Sequence, residues 1–341
     1  MATTSPVRII IELPDARCVA SVGAMEEVAD AAERLGFYGL AVGDHLITDG
    51  KIGVCRGHHD GDDRVFYEPM QVLAYMAART ETLKLLTSVL VLPNRHPVLL
   101  AKQVATLDNL SNGRVILGLG SGALPARKAD AGFNLAALGG VAKLEYEAYG
   151  VTTHRGKLTD EYTAVMQNMW ADEPATFRGA TISYSGLEVY PKPIQKPGPP
   201  IWWGGRSDIA QKRVVNAGDG WLPSQCPVDI FASGVENIRT LAAEAGRTDD
   251  LDFGVSLWSS VDETDEAALA AAELALGPKF RDAQALREGT FIGSPDTFIE
   301  RIKEYQQVGL NVAVLRCIPP TAEHLIRQME LLARDALPEF A

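Results

Sequence analysis

Residues 84–122 read KLLTSVLVLPNRHPVLLAKQVATLDNLSNGRVILGLGSG. An apolar, β-branched run from Leu85 to Leu92 ends at Pro93. From His96 to Leu110 the spacing changes, and Leu99, Leu100, Val104, Leu107 and Leu110 recur at helical intervals. Asn112-Gly113 breaks that pattern. A second apolar run, Val115 to Leu119, then ends in a glycine cluster. A strand, a crossover helix and a parallel strand are thereby predicted, with a glycine-rich turn at the second strand's carboxyl end. Ligands of α/β proteins bind at that end. The stretch therefore sets both the architecture and the side on which chemistry is expected.

Working outward, the alternation continues. Strands are predicted at Val7 to Leu13, Gly39 to Gly43, Ile201 to Trp203, Trp221, Leu251 to Val261 and Asn311 to Leu315. Helices are predicted at Ala24 to Leu35, Glu68 to Thr80, Thr159 to Trp170, Asp208 to Asn216, Pro227 to Ala245, Asp265 to Leu276, Ser294 to Val308 and Ala322 to Ala336. With the two strands above this makes eight, and repeated right-handed crossovers close a (β/α)8 TIM barrel. The main alternative is an open, doubly wound sheet. The expectation is one α/β domain over 1–341, with insertion loops at about 46–67, 123–150 and 174–199 on the carboxyl face.

Composition narrows the partners. The chain has 341 residues, 46% of them hydrophobic, and a formal net charge of -12. No basic stripe is available to neutralise phosphates, so nucleic acid is not expected. No apolar stretch is long enough to span a membrane and the first residues lack a signal-peptide pattern, so a cytoplasmic location is expected. Cys18, Cys55, Cys226 and Cys317 are scattered, as befits reduced thiols, and only Cys55 lies in a polar loop. His58-His59 beside Asp60, Asp62 and Asp63 does not have converging spacing, and no metal is expected there.

Four motifs carry candidate chemistry. Gly118 to Gly122 (GLGSG) puts small residues where backbone approaches a ligand, making Gly120, Ser121 and Gly122 candidate binding positions. With Ala123 it also fits the dinucleotide pattern, but three strands precede it and no acidic strand end follows. Gly204, Gly205, Arg206 and Ser207 end a strand and open a helix, a setting that suits a phosphate. The alternative there is simple capping by Ser207. Asp44-His45 ends the second strand, where an imidazole can move a proton beside a carboxylate. His154-Arg155 precedes a helix and makes His154 a further candidate. Trp202, Trp203 and Trp221 are divided between pocket and core.

Taken in order, GDHL (43–46), TSVLVLP (87–93), residues 96–122, RGKLTDEYTAVMQNMW (155–170), PPIWWGG (199–205) and GSPDTFIERIKEYQQVGLNVAVL (293–315) resemble the bacterial luciferase-like monooxygenase superfamily. The resemblance implies a TIM-barrel oxidoreductase that uses F420 or FMN, with the wording of GDHL and TSVLVLP closer to the F420 branch. It implies hydride transfer to or from a small-molecule substrate, or oxygen insertion with reduced FMN. It also implies a flavin or F420 reductase as partner and a homodimer. By resemblance, His45 lies near the cofactor ring, Ser88-Val89 forms a non-prolyl cis peptide behind it, and Gly204 to Ser207 hold its phosphate. Two departures stand out. Ala123 replaces a glutamate found in sugar-phosphate dehydrogenases of the superfamily, and the segment from Leu124 to Glu147 is long. A flavin-binding protein without turnover is the alternative that the first departure leaves open.

Overall fold

A computed structural model describes residues 6–15, 20–45, 65–122, 143–151, 154–276, 282–318 and 321–340. In chain order the elements are β1 (Arg8–Glu12), α1 (Val22–Leu35), β2 (Gly39–Val42), α2 (Pro69–Arg79), β3 (Lys84–Thr87), β4 (Leu90–Val91), α3 (Pro97–Leu110) and β5 (Val115–Gly120). Then come α4 (Arg155–Trp170), β6 (Ala175–Arg178), β7 (Ser183–Leu187), β8 (Ile201–Trp203), α5 (Asp208–Ala217), β9 (Gly220–Trp221) and α6 (Val228–Glu244). The last are β10 (Asp252–Val261), α7 (Asp265–Leu276), α8 (Ala283–Glu288), β11 (Phe291–Gly293), α9 (Pro295–Gln307), β12 (Val312–Cys317), α10 (Ala322–Asp335) and α11 (Leu337–Phe340).

Parallel pairing runs β1, β2, β3, β5, β8, β9, β10, β12 and returns to β1, where Ile10 lies beside Val314 and Gly39. The ring closes through β9–β10, with Phe253 beside Trp221. This is the (β/α)8 barrel, and the open-sheet alternative is excluded. Residues alternate between its two faces, as the period of a strand requires. Ile10, Ala41, Leu86, Ile116, Trp202, Leu222, Val312 and Val314 form one inner cluster. Their neighbours Ile9, Ile11, Leu40, Leu85, Leu117, Ala313 and Leu315 pack in the larger layer beneath the helices. Filling both faces with aliphatic side chains supplies the main driving force for closure.

The amino-terminal end of the barrel is sealed by polar bonds rather than left open. Arg8 pairs with Asp252, which also accepts from Asn311. Buried Arg114 donates to the carbonyls of Ala77, Thr80, Leu83 and Ser111 at 2.7–3.0 Å. It thereby satisfies the carboxyl ends of α2 and α3, whose last carbonyls have no partner within the helix.

Several local expectations are corrected. The run from Leu85 to Leu92 is not one strand. The Ser88–Val89 peptide bond is cis, as the resemblance implied, and the run is split into β3, β4 and a 3-10 turn at Leu92–Asn94. Helix α4 starts a turn earlier than Thr159, at Arg155, so Asp160 and Glu161 lie in its second turn. On α3, Leu100, Val104 and Leu107 are buried, whereas Leu99 and Leu110 are exposed. The apolar stripe there is wider than the surface it covers. Strand β11, which extends the edge of β10, was not anticipated because Phe291–Gly293 is too short to show a period. Between 174 and 199 lies the antiparallel β6–β7 hairpin. Cys18, Cys55, the His58-His59 cluster, Ala123 and most of the 124–147 segment lie outside the described residues.

Candidate active site

At the carboxyl end of β2, Asp44 is buried and both its oxygens are engaged. Oδ1 accepts from Arg95 at 2.8 Å and Oδ2 from the Val91 amide at 2.8 Å. Burial pushes the Asp44 carboxyl up, while Arg95, Val91 and His45 pull against it. Arg95 also reaches Glu68, the N-cap of α2, whose other oxygen accepts from the Gln71 amide. Asp44 therefore ties β2 to β4 and α2. Sequence reasoning missed Arg95, because a lone arginine ahead of His96-Pro97 has no pattern of its own.

His45 follows directly. Its ring meets Phe66 edge-on at 5.4 Å. Its Nδ1 is sealed from solvent without a hydrogen-bond partner, and lies 3.8 Å from Oε1 of the buried Glu145. The side chain as a whole is 32% exposed. Glu145 was missed as well, since it lies in a segment read from the sequence only as an extended loop.

Around the next strands, Val89 decides where glycine is needed. A Cβ on Gly120 or Gly204 would stand 3.0 Å from its side chain, and one on Gly118 would stand 1.9 Å from the Thr87 carbonyl oxygen. Gly118, Gly120 and Gly204 thus let β5 and β8 close over the turn that carries Ser88 and Val89. Gly122, at φ +77°, makes room for Tyr146, whose hydroxyl would lie 1.8 Å from an added Cβ. Ser121 is held on all sides. Its hydroxyl accepts from Thr159 and Arg213 at 3.0 Å, and its carbonyl from Tyr146 and Arg155 at 3.1 Å. Much of GLGSG therefore faces protein.

His154 lies just ahead of α4 and is exposed. Its ring sits beside Gly156 and Arg213. No hydrogen bond or ion pair joins it to Asp44 or His45 among the described residues.

The Gly204–Ser207 turn is different. Gly205 has φ +92°, and its carbonyl accepts from Trp221 at 2.8 Å. Ser207 caps α5 through its hydroxyl, 3.3 Å from the Ala210 amide. The amides of Gly205, Arg206 and Ser207 donate to no acceptor among the described residues. Among the described residues the Arg206 side chain makes one hydrogen bond, a long one of 3.4 Å to the Gln225 carbonyl. Together they form an open set of donors at the positive end of a helix.

On the strands next to β2, Arg316 at the end of β12 pairs with Glu12 at the end of β1 at 2.6 Å. Its guanidinium lies 5.4 Å from the Trp258 ring centroid. Alternation along β1 and β12 turns both charged groups inward at the mouth, above Ile10 and Val314. Neither was anticipated, because a single charge ending an apolar strand looks like an ordinary boundary. Trp202, Trp203 and Trp221 are each about 1% exposed and belong to the core. Among the described residues no group of three His, Cys, Asp or Glu could hold a metal, and no helix is long and apolar enough to cross a membrane.

Residues 11–311 match the model of the luciferase-like monooxygenase family. The fold is similar to that of the monooxygenase RslO1 from Streptomyces bottropensis, with TM-score 0.78 and 22% identity over 98% of this chain and 100% of that one. It is similar to a coenzyme F420-dependent tetrahydromethanopterin reductase from Methanopyrus kandleri, with TM-score 0.74 and 20% identity over 99% and 100% of the two chains. It is also similar to the oxygenating constituent of 3,6-diketocamphane monooxygenase from Pseudomonas putida in complex with FMN, with TM-score 0.72 and 18% identity over 99% of each chain.

Proposed function

Because the chain belongs to the luciferase-like monooxygenase family, we propose that it is a flavin- or deazaflavin-dependent oxidoreductase that binds F420 in preference to FMN and acts on a small organic molecule. The observation that carries this reading is a pairing within one barrel mouth. A part-exposed imidazole stands at the end of β2, and a set of donors without acceptors among the described residues opens α5 at the end of β8. The first suits proton movement at a reacting centre, and the second suits a phosphate. The preference for F420 rests on the resemblance of the GDHL and TSVLVLP segments.

The residues present fit such a cofactor. The amides of Gly205, Arg206 and Ser207 and the Arg206 side chain would hold its phosphate. Val89 and the small residues Gly120 and Gly204 would line the space beside it, with Ser88, Ser121 and Gly122 supporting that rim. When bound, the cofactor supplies two-electron chemistry, which no protein side chain supplies. The chain's own part is to orient and to exclude water, and His45 holds or accepts one proton at Nε2. Asp44, locked by Arg95, keeps that part of the mouth in place. Arg316, Glu12 and Trp258, on the strands β12, β1 and β10 that run on from β2, are the groups placed to meet the substrate. His154, beside the amino terminus of α4, is assigned to polar contact rather than to proton transfer.

The same reading makes the whole chain one barrel domain, with 46–67, 123–150 and 174–199 shaping the mouth. It implies a flavin or F420 reductase as supplier, a homodimer and a cytoplasmic location. A second reading, oxygen insertion with reduced FMN, is favoured by the similarity to the diketocamphane enzyme solved with FMN. Anaerobic titration of reduced FMN and reduced F420, side by side, tests both. Tighter retention of F420 is expected; binding of FMN alone would move the assignment to the second reading, and binding of neither would overturn both.

A further inference from the structure

Just past β9, Gln225 adopts φ +50°, the left-handed region that strains a residue carrying a Cβ. Glycine would take that backbone freely. Glutamine there costs stability unless its side chain offsets the strain. The residue is buried. Its backbone amide donates to the Ser256 carbonyl at 2.9 Å, which carries the pairing of β9 with β10 on toward the mouth. Its backbone carbonyl accepts from Arg206 at 3.4 Å. Its side-chain amide, oriented by hydrogen bonding, donates to the Gly289 carbonyl and accepts from the Trp258 indole N–H, each at 3.1 Å. Gly289 caps the carboxyl end of α8. An amide suits this place because it offers a donor and an acceptor at once without charge.

Trp258 lies level with Arg316 in the register of β10 and β12. Its indole packs with Leu276, Leu286 and Ile318, and its ring centroid lies 5.4 Å from the Arg316 guanidinium. Apolar packing has no direction, whereas a hydrogen bond at the indole nitrogen selects one rotamer. Among the described residues Arg316 makes one hydrogen bond, from Nε to Glu12. The Trp258 face is the second contact that sets its direction.

We propose that Gln225 is a positioning residue for the substrate side of the mouth: its amide clamps the Trp258 indole, and the clamped ring fixes where the Arg316 guanidinium points. That Trp258 and Arg316 meet a substrate rests on the proposed function; the clamp does not. Through one residue the turn that carries Arg206, the end of α8 and the end of β10 are held together.

Proton–nitrogen NMR of the full chain tests it without a substrate. Trp258→Phe assigns the Trp258 indole N–H among the five tryptophans, and Arg316→Lys assigns the Arg316 Nε–H, which the Trp258 ring current displaces. Gln225→Leu removes both amide bonds at nearly constant volume. Solvent exchange of the Trp258 indole proton is expected to quicken at least about fivefold, as for loss of one hydrogen bond. The Arg316 signal should move with it, and the other four indoles should stay as they are. Gln225→Glu keeps an oxygen acceptor for the indole and, protonated as its burial favours, a donor for Gly289. It is expected to restore both signals. Should Gln225→Leu fail to fold, Gln225→Gly adopts the left-handed backbone freely and carries the same test. FMN and F420 dissociation constants should be unchanged in all three variants, since Arg206 meets the backbone carbonyl. Unchanged Trp258 exchange without the amide overturns the proposal, as does an Arg316 signal that stays in place or a loss that Gln225→Glu does not reverse. Should neither cofactor bind while both signals follow position 225, the cofactor reading fails and this one stands.

Discussion

Asp44 and Arg95 meet at 2.8 Å beneath the barrel mouth, the carboxylate 1% and the guanidinium 12% exposed. They lie 51 positions apart in sequence and join the end of β2 to the turn after β4. Removing one partner of a buried pair leaves the other charge without compensation. Arg95→Met is therefore expected to cost about 3–5 kcal/mol of stability. Denaturant unfolding monitored by circular dichroism measures it. A loss below about 1 kcal/mol, the range of a surface pair, would show that this pair does not brace the mouth.

The two candidate groups of the proposed function separate by what each changes. His45→Ala is expected to lower turnover at least about tenfold with cofactor affinity nearly kept, as for loss of an acid–base group. Arg206→Ala is expected to raise the cofactor dissociation constant about tenfold, the worth of one charge-assisted contact. Equal turnover in the first variant or equal affinity in the second would remove that residue from its role.

Glycine at 118 is required by backbone, not by a ligand. In Gly118→Ala the new methyl would meet the Thr87 carbonyl at 1.9 Å, where neither strand can retreat without breaking the ring. A loss of about 3 kcal/mol or more is expected, from overpacking. Gly23→Ala is the control. Gly23 is exposed in the first turn of α1 with nothing within 4 Å, and the change is expected to be neutral or to stabilise by about 0.5 kcal/mol. Thermal melts of the two variants should move in clearly different amounts.

Glu161 gives a pH signature to the β6–β7 hairpin. Burial pushes its carboxyl up, but the Thr181 and Ile182 amides, donating at 2.8 and 3.0 Å, outweigh that and hold it below its ordinary value of 4.5. A carboxylate whose folded value is depressed contributes stability above its unfolded value, and that stability is lost as pH falls through the folded one. The hairpin should therefore stay docked on α4 at neutral pH and loosen below about 4.5, the ordinary value. Amide exchange of residues 179–184 between pH 6 and pH 3 follows it, read against the intrinsic pH dependence of exchange. In Glu161→Gln the same amides should be less protected at every pH, with no acid step.

The luciferase-like barrel was legible because its evidence is local and repeated. Apolar runs at strand spacing, helical stripes between them and turn residues at their ends recur along the chain, and each is set by neighbours a few residues away. Residues 84–122 alone display one full unit. Where a period was too short, as at β11, or interrupted by a cis bond, as at Ser88–Val89, the pattern gave no boundary. Asp44-His45 and Gly204–Ser207 drew notice as candidates for the same reason: a strand end is a place the sequence marks.

Position along the chain was determined by sequence alone, and company was determined only by tertiary structure. Nothing near Asp44 in sequence announces Arg95, nothing near His45 announces Glu145, and nothing near Glu12 announces Arg316. Ring closure brings strand ends together that are hundreds of residues apart, and a lone charge carries no period by which to be paired in advance. The glycines show the same division. Their clustering was plain in the chain, but Val89, the Thr87 carbonyl and Tyr146, the groups that require them, became visible only once β3, β5 and β8 stood side by side.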